Sequence, residues 1–314
     1  MIAVQDAGAD GAGFDGVGGG FDGVGGAGFD GVGGGFDGVV FDGVVFAGGG
    51  CRCFWQAGFY GEAQPRLGIT PKAAAAASAG AALGTVSLAG IGDRALANFK
   101  RAAAANARNV YPELLLSAKP MFPHEGLFRA AILETIDAEA MATIQSGPTL
   151  RVALSRVPDS RIPRAARIAA ALLAYKLEGW ARGRVHTRWA GNLGFAVEWA
   201  DAAACTSVEE LADLLLQTSC TPPFTPAFER EGRPVLDGGL TDNVPVAALP
   251  ECERILVLLT KHYRDVPSSG RVTYVQPSEP IPIGGWDYSD PTAIQKSYDL
   301  GRRDGERFSK AHRS

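Results

Sequence analysis

Three glycine-rich turns, each at the end of an apolar run, constrain this chain more than any other feature. Gly48-Gly49-Gly50-Cys51-Arg52 follows Val44 to Ala47, Ala76-Ala77-Ser78-Ala79-Gly80 closes a run from Ala73, and Asp237-Gly238-Gly239 follows Val235-Leu236. A strand that ends in such a turn presents its next side chain at the rim of a sheet, on rigid main chain. Between the turns the pattern alternates. Further strands are expected at Leu150 to Leu154, Ile255 to Leu259 and Val272 to Val275. Helical spacing covers Phe54 to Ala63, Ala79 to Leu88, Gly126 to Ile144 and Arg164 to Trp180. Asp93 reads as the N-cap of a helix to about Asn109, and Asp290-Pro291 opens a last amphipathic helix. Overlapping capping boxes, Thr206-x-x-Glu209 and Ser207-x-x-Glu210, precede a helix that ends near Gln217. Alternating strands and helices predict an α/β sheet covered on both faces, whose sites gather at the carboxyl ends of strands.

Composition narrows the function classes. The 314 residues are 46% hydrophobic and 20% charged, enough for one large domain with a substantial core. A net charge of −4 with scattered Lys and Arg argues against nucleic acid as a partner. The start of the chain is acidic and glycine-rich, so no secretory signal is expected and a cytoplasmic location follows. The five cysteines, at 51, 53, 205, 220 and 252, are then expected as reduced thiols. Cys51-x-Cys53 lacks a second ligand pair at zinc spacing, so no metal is expected. The uncharged run from Ala73 to Ile91 is long enough to cross a bilayer. It is mostly Ala, Gly, Ser and Thr, and a buried strand, tight turn and buried helix account for it better than a transmembrane segment. Residues 1–40 repeat Phe-Asp-Gly-Val at irregular spacing, which predicts disorder and not a calcium-binding solenoid. The folded domain is expected over 41–314.

The turns also carry chemistry. Ser78 lies between small residues at a strand-to-helix elbow, where the helix dipole favours developing negative charge. Successive backbone donors at Gly48 to Arg52 can cradle an oxyanion. That loop lacks the G-x-G-x-x-G pattern of a dinucleotide site and the Gly-Lys-Ser/Thr of a phosphate loop, and a plain tight turn is its other reading. Asp237 can take a proton from Ser78, or it can be a turn Asp bonded to its own backbone, a role that also suits Asp242. Four histidines, at 124, 186, 262 and 312, leave open a Ser78-Asp237-His262 triad. The short connection between the strands bearing Asp237 and His262 favours the two-residue mechanism instead.

Taken together, the three motifs resemble the patatin-like phospholipase family. Its G-G-G-x-R-G oxyanion loop, G-x-S-x-G elbow and D-G-G/A acid motif correspond to Gly48 to Cys53, Ala76 to Gly80 and Asp237 to Gly239. The resemblance runs from about Val44 to the C-terminus. It implies a three-layer α/β/α sandwich with a mostly parallel central sheet and a Ser78-Asp237 dyad. Amides around Gly49, Gly50 and Cys51 would hold the oxyanion, and Arg52 would fix the loop. The implied activity is phospholipase A-like hydrolysis of acyl lipids without a cofactor, with transient contact at a membrane surface. Ala76 and Cys53 stand where the family has glycine, which motivates an alternative reading as a non-catalytic lipid- or protein-binding member. Phe54, Trp55, Phe59 and Tyr60 could meet a bilayer, but at helical spacing they read as core.

Overall fold

The computed structural model describes residues 41–114, 121–158, 185–186, 193–222, 224–267 and 269–312. The repeat of residues 1–40 and the expected helix Arg164 to Trp180 lie outside them. Five strands run parallel in the spatial order β3 (Thr149–Arg156), β2 (Ala73–Ala77), β1 (Gly43–Phe46), β7 (Ile255–Leu258) and β8 (Val272–Val275). The central three, β1, β2 and β7, are fully buried, which is why their sequences are unbroken apolar runs. Alternate residues point to opposite faces. Val44, Phe46, Ala74, Ala76, Leu256 and Leu258 join the larger core, under most of the helices. Val45, Ala47, Ala73, Ala75, Val257 and Leu259 pack on the other face against Val244, Leu249 and Tyr263. The result is a mixed α/β fold with helices around a mostly parallel central sheet, as the sequence predicts.

The antiparallel part of the sheet positions the site. β4 (Ala196–Asp201) pairs with β3 along Arg151 to Arg156 on one edge. On the opposite edge, β2 pairs with β3 as far as Ala77 opposite Ala153, and β6 (Arg233–Asp237) takes over with Asp237 opposite Leu154. β2 is parallel to β3 and β6 antiparallel, so their carboxyl ends converge head-on. β6 is the second arm of a hairpin with β5 (Phe228–Arg230), turned by Glu231 (φ 53°) and Gly232 (φ 70°).

Helix α1 (Phe54–Leu67) ends at Gly68 in the left-handed region, φ 62°. The aromatic residues Phe54, Trp55, Phe59 and Tyr60 are buried. The uncharged run folds as β2, the turn at Ser78, and α2 (Ala79–Leu88). Two helix expectations are corrected. Helix α3 is Gly92–Ala105, four residues shorter at its end than predicted, with Ile91 at the N-cap position. Asp93 is spent elsewhere, accepting from the Tyr298 hydroxyl at 2.9 Å. The single helix expected from Gly126 to Ile144 is two, α4 (His124–Thr135) and α5 (Ala138–Ser146). The break falls where the Asp137 carboxylate caps α5 by accepting from the Ala140 amide at 2.8 Å. Ser207 caps α6 (Val208–Gln217) through the Glu210 amide, at 3.1 Å, and Glu210 reaches back to the Thr206 amide at 2.7 Å. A single helical turn, α7 (Gly239–Asp242), follows β6. The last helix, α8 (Pro291–Ala311), has Asp290 as its N-cap, as expected, and its Asp304 Oδ2 accepts from the Trp55 indole at 2.8 Å.

Candidate active site

Ser78 sits at φ 53°, ψ −141°, a conformation that costs a side-chain-bearing residue on the order of 1–3 kcal/mol. The elbow is held in place by its neighbours. The Ser78 amide donates to Thr218 Oγ1 at 3.0 Å, and that hydroxyl donates to Ala153 O at 2.6 Å. The Thr218 carbonyl accepts from the Gly238 amide at 3.0 Å. One threonine thus joins the Ser78 turn, the middle of β3 and the Asp237 turn. Gly80 follows because a Cβ there would lie 2.5 Å from both Phe46 O and Ala47 O, so the start of α2 rests directly on the end of β1. Ala76 is fully buried within β2, and its methyl is part of the core.

The convergence of β2 and β6 brings the Ser78 hydroxyl to Asp237 Oδ2 at 2.7 Å, across 159 positions of sequence. Asp237 Oδ1 accepts from the Gly239 amide at 2.7 Å, so this residue is also a turn Asp. Its own amide donates to Cys220 O at 2.7 Å. The carboxyl keeps some solvent access, yet burial pushes it up from 3.8 to about 6, against the lowering effect of hydrogen bonds from Ser78, Gly239 and Thr221. Asp242 takes the plainer turn role and accepts from the Val244 amide at 3.1 Å.

Beside the pair lies the loop from Gly48. Asn243 clamps it at both ends of one residue: its carbonyl accepts from the Gly48 amide at 3.1 Å and its side-chain amide donates to Gly48 O at 3.3 Å. Thr260 Oγ1 adds a second donor to Gly48 O at 2.8 Å. The Arg52 guanidinium donates to Gly49 O at 3.3 Å. Gly50 has φ 60°, and a Cβ on it would meet Gly285 O at 2.0 Å, so only glycine fits. The Gly49 and Gly50 amides, both half-buried, find no acceptor among the described residues. The Cys51 amide is already committed to Gly285 O at 3.0 Å, which corrects the expectation that it contributes to the same cradle. Cys53 has φ −65°, ψ −13°, ordinary helical backbone that any residue adopts. Burial pushes its thiol and that of Cys51 well up, so both are neutral.

The histidines stand apart from the pair. His262 is exposed, and the direct Ser78 to Asp237 bond leaves no place for an imidazole between them. His186 Nε2 lies 3.0 Å from the Tyr274 hydroxyl and His312 Nδ1 2.8 Å from Phe308 O. His124 is buried against Phe128, Trp286 and Tyr288, and burial pushes it down to about 4. No group of three metal-ligating side chains occurs among the described residues. Sequence reasoning missed Thr218, Thr260 and Gly285, which carry no motif of their own. Asn243 was visible only as a neighbour of the acid turn.

No curated protein matches the chain. The family profile described as Patatin-like phospholipase matches residues 44–250, from β1 through all three glycine-rich turns, and stops short of the C-terminal stretch the sequence resemblance included. Covering well over half of the 314 residues, that match establishes that the chain belongs to the patatin-like phospholipase family.

Proposed function

We propose that the protein is a serine acyl hydrolase that cleaves carboxylic esters of acyl lipids in the manner of a phospholipase A, with Ser78 as nucleophile and Asp237 as its proton acceptor. Family membership implies lipid acyl hydrolysis. The observation that carries the residue assignment is the 2.7 Å hydrogen bond from Ser78 Oγ to Asp237 Oδ2 beside two unpaired amides. With a carboxyl pushed up to about 6, Asp237 is ionised at neutral pH and still basic enough to accept a proton. As Ser78 Oγ attacks the ester carbonyl carbon, its proton passes to Asp237. The carbonyl oxygen becomes an alkoxide held by the Gly49 and Gly50 amides, each donor contributing ~3 kcal/mol to the transition state. The start of α2 adds the positive end of its dipole. Collapse breaks the ester C–O bond, and Asp237 returns the proton to the departing alcohol. Water then repeats the sequence on the acyl-Ser78 ester and releases the fatty acid.

None of the described helices is long and apolar enough to cross a membrane. We assign the protein to the cytoplasm, meeting its substrate by transient contact with a lipid surface. The test is direct. Ser78→Ala should abolish labelling by a fluorophosphonate, and Asp237→Asn should lower hydrolysis of a short-chain nitrophenyl ester at least about a thousandfold with an unchanged circular dichroism spectrum. Undiminished labelling of Ser78→Ala would remove Ser78 as nucleophile. A wild-type protein inert towards such esters would favour the non-catalytic, lipid-binding reading.

A further inference from the structure

Three aromatic rings beside the glycine loop are left out of the core. Trp286 is 42% exposed, and Phe122 and Phe224 are half-buried. They lie against one another, Phe122 5.0 Å from Phe224 and Phe224 5.5 Å from Trp286. Each comes from a different segment, and two of these segments are tied to the loop or to Asp237. Trp286 follows Gly285, whose carbonyl accepts from the Cys51 amide at 3.0 Å. The Phe224 amide turns back onto Thr221 O at 3.0 Å, and the Thr221 side chain bonds to Asp237. Phe122 precedes α4, whose first residue, His124, lies 5.4 Å from Trp286 and 4.9 Å from Tyr288. Both His124 nitrogens are buried without a partner, and the ring is neutral at pH 7 because burial pushes it down to about 4. The rings therefore rest on an uncharged floor.

Cations border the same loop. The Arg52 guanidinium spends its Nε on Gly49 O, and a Cβ on Gly285 would meet its Nη2 at 3.3 Å, one residue from Trp286. Thr260, which bonds Gly48 O, is followed by Lys261, an exposed side chain whose ammonium lies 4.9 Å from the centre of the Tyr263 ring. Arg264 is exposed three residues further on. Among the described residues none of these three cations pairs with a carboxylate, and the segment 260–266 holds a single acid, Asp265. Half-wet aromatic rings favour the boundary between head groups and hydrocarbon. Unpaired Lys and Arg favour a negatively charged bilayer, each strengthening attachment about fivefold. Rings and cations together match one occupant, a lipid surface that carries negative charge. Their place beside the glycine loop is where such a surface would deliver an acyl lipid.

We propose that the Phe122, Phe224 and Trp286 patch and the Arg52, Lys261 and Arg264 edge together dock the protein on an anionic lipid bilayer, with the rings at head-group level and the cations on the phosphates. The use of this surface in catalysis rests on the hydrolase reading; its binding does not. The test is flotation of the Ser78→Ala protein, which leaves the lipid intact, with vesicles of equimolar phosphatidylcholine and phosphatidylglycerol. Phe224→Ala with Trp286→Ala should lower the partition coefficient at least about tenfold. Lys261→Gln with Arg264→Gln should lower it about tenfold or more on these vesicles and little on phosphatidylcholine alone. With Ser78 restored, both double variants should hydrolyse nitrophenyl acetate in solution as the wild type does. Should the aromatic pair fail to fold, Phe122→Ala reads the same loss. Unchanged partition in both double variants at wild-type Tm, or a Ser78→Ala protein that floats with neither kind of vesicle, overturns the surface and leaves the hydrolase standing. A charge-variant loss equal on the two kinds of vesicle overturns the anionic lipid as partner. A wild type inert towards esters, whose partition still falls in both double variants, supports the surface and overturns the role of Ser78 alone.

Discussion

As the proton acceptor we propose, Asp237 meets two demands that conflict, since the burial that makes its carboxylate a better base also makes it a destabilising one. Its folded-state value of about 6 lies above the ordinary 3.8, so between those values the folded chain binds more protons than the unfolded one. Stability therefore falls as pH rises from about 4 to 6 and stays lowered above, by up to about 3 kcal/mol, since a tenfold difference in proton affinity corresponds to about 1.4 kcal/mol. Asn at this position keeps an oxygen for the Gly239 amide and a donor for Ser78, yet carries no charge. Asp237→Asn should accordingly unfold at a higher temperature than wild type at pH 7.5, and the difference should shrink to nothing near pH 4. Equal Tm at both pH values would mean that the carboxyl is not desolvated in the folded protein. Activity runs the other way. Ester hydrolysis by the wild type should rise with pH through an apparent pKa of about 6, because only the ionised form accepts the Ser78 proton.

At the scale of elements, the site is a consequence of how strands share β3. β2 supplies its edge as far as Ala153 and β6 from Leu154 onwards, so the two side chains that leave these strands at their carboxyl ends have nowhere to go but towards each other. Thr218, just after α6, seals the joint through the Ser78 amide and Ala153 O. Thr218→Val preserves the shape and orphans both partners. It should cost about 1–3 kcal/mol of stability and lower kcat about tenfold or more with KM little changed, whereas Thr218→Ser should restore both. A kcat that tracks only the loss of folded protein would make Thr218 structural and nothing more. The three central parallel strands were readable in sequence because burial on both faces leaves an unbroken apolar run. β4 was not, since Ala196, Val197 and Trp199 are exposed and no alternation survives, and β5 has only three residues. The expected helix from Gly126 to Ile144 was misread for a related reason: apolar spacing continues across Asp137, and only the capping bond reveals the break.

At the scale of the molecule, the three motifs could be read in sequence because each is local, a few residues whose backbone makes a turn. The groups that fasten them together come from turns far apart. Asn243, Thr260 and Gly285 reach the glycine loop only once the sheet has closed, and the last two lie beyond residue 250, where the family match ends. The same long-range logic holds at the entry of β1. Phe41 is 1% exposed and its ring lies 6.3 Å from Phe308 on α8. Asp42 accepts from the Glu253 amide at 3.1 Å and the Arg254 amide at 2.8 Å, tying the entry of β1 to that of β7. Deletion of residues 1–40 removes none of these contacts and should leave Tm and esterase activity as in the full chain. Deletion of two residues more removes a buried aromatic ring, worth about 1.5–3 kcal/mol. It also removes two charge-assisted bonds, and the total loss should be at least about 3 kcal/mol. For a domain of this size that is a fall in Tm of roughly 6–12 °C. Equal Tm for the two truncations would show that the domain boundary lies further into the chain, and a fall already present in the shorter deletion would show that the repeat contributes to the fold.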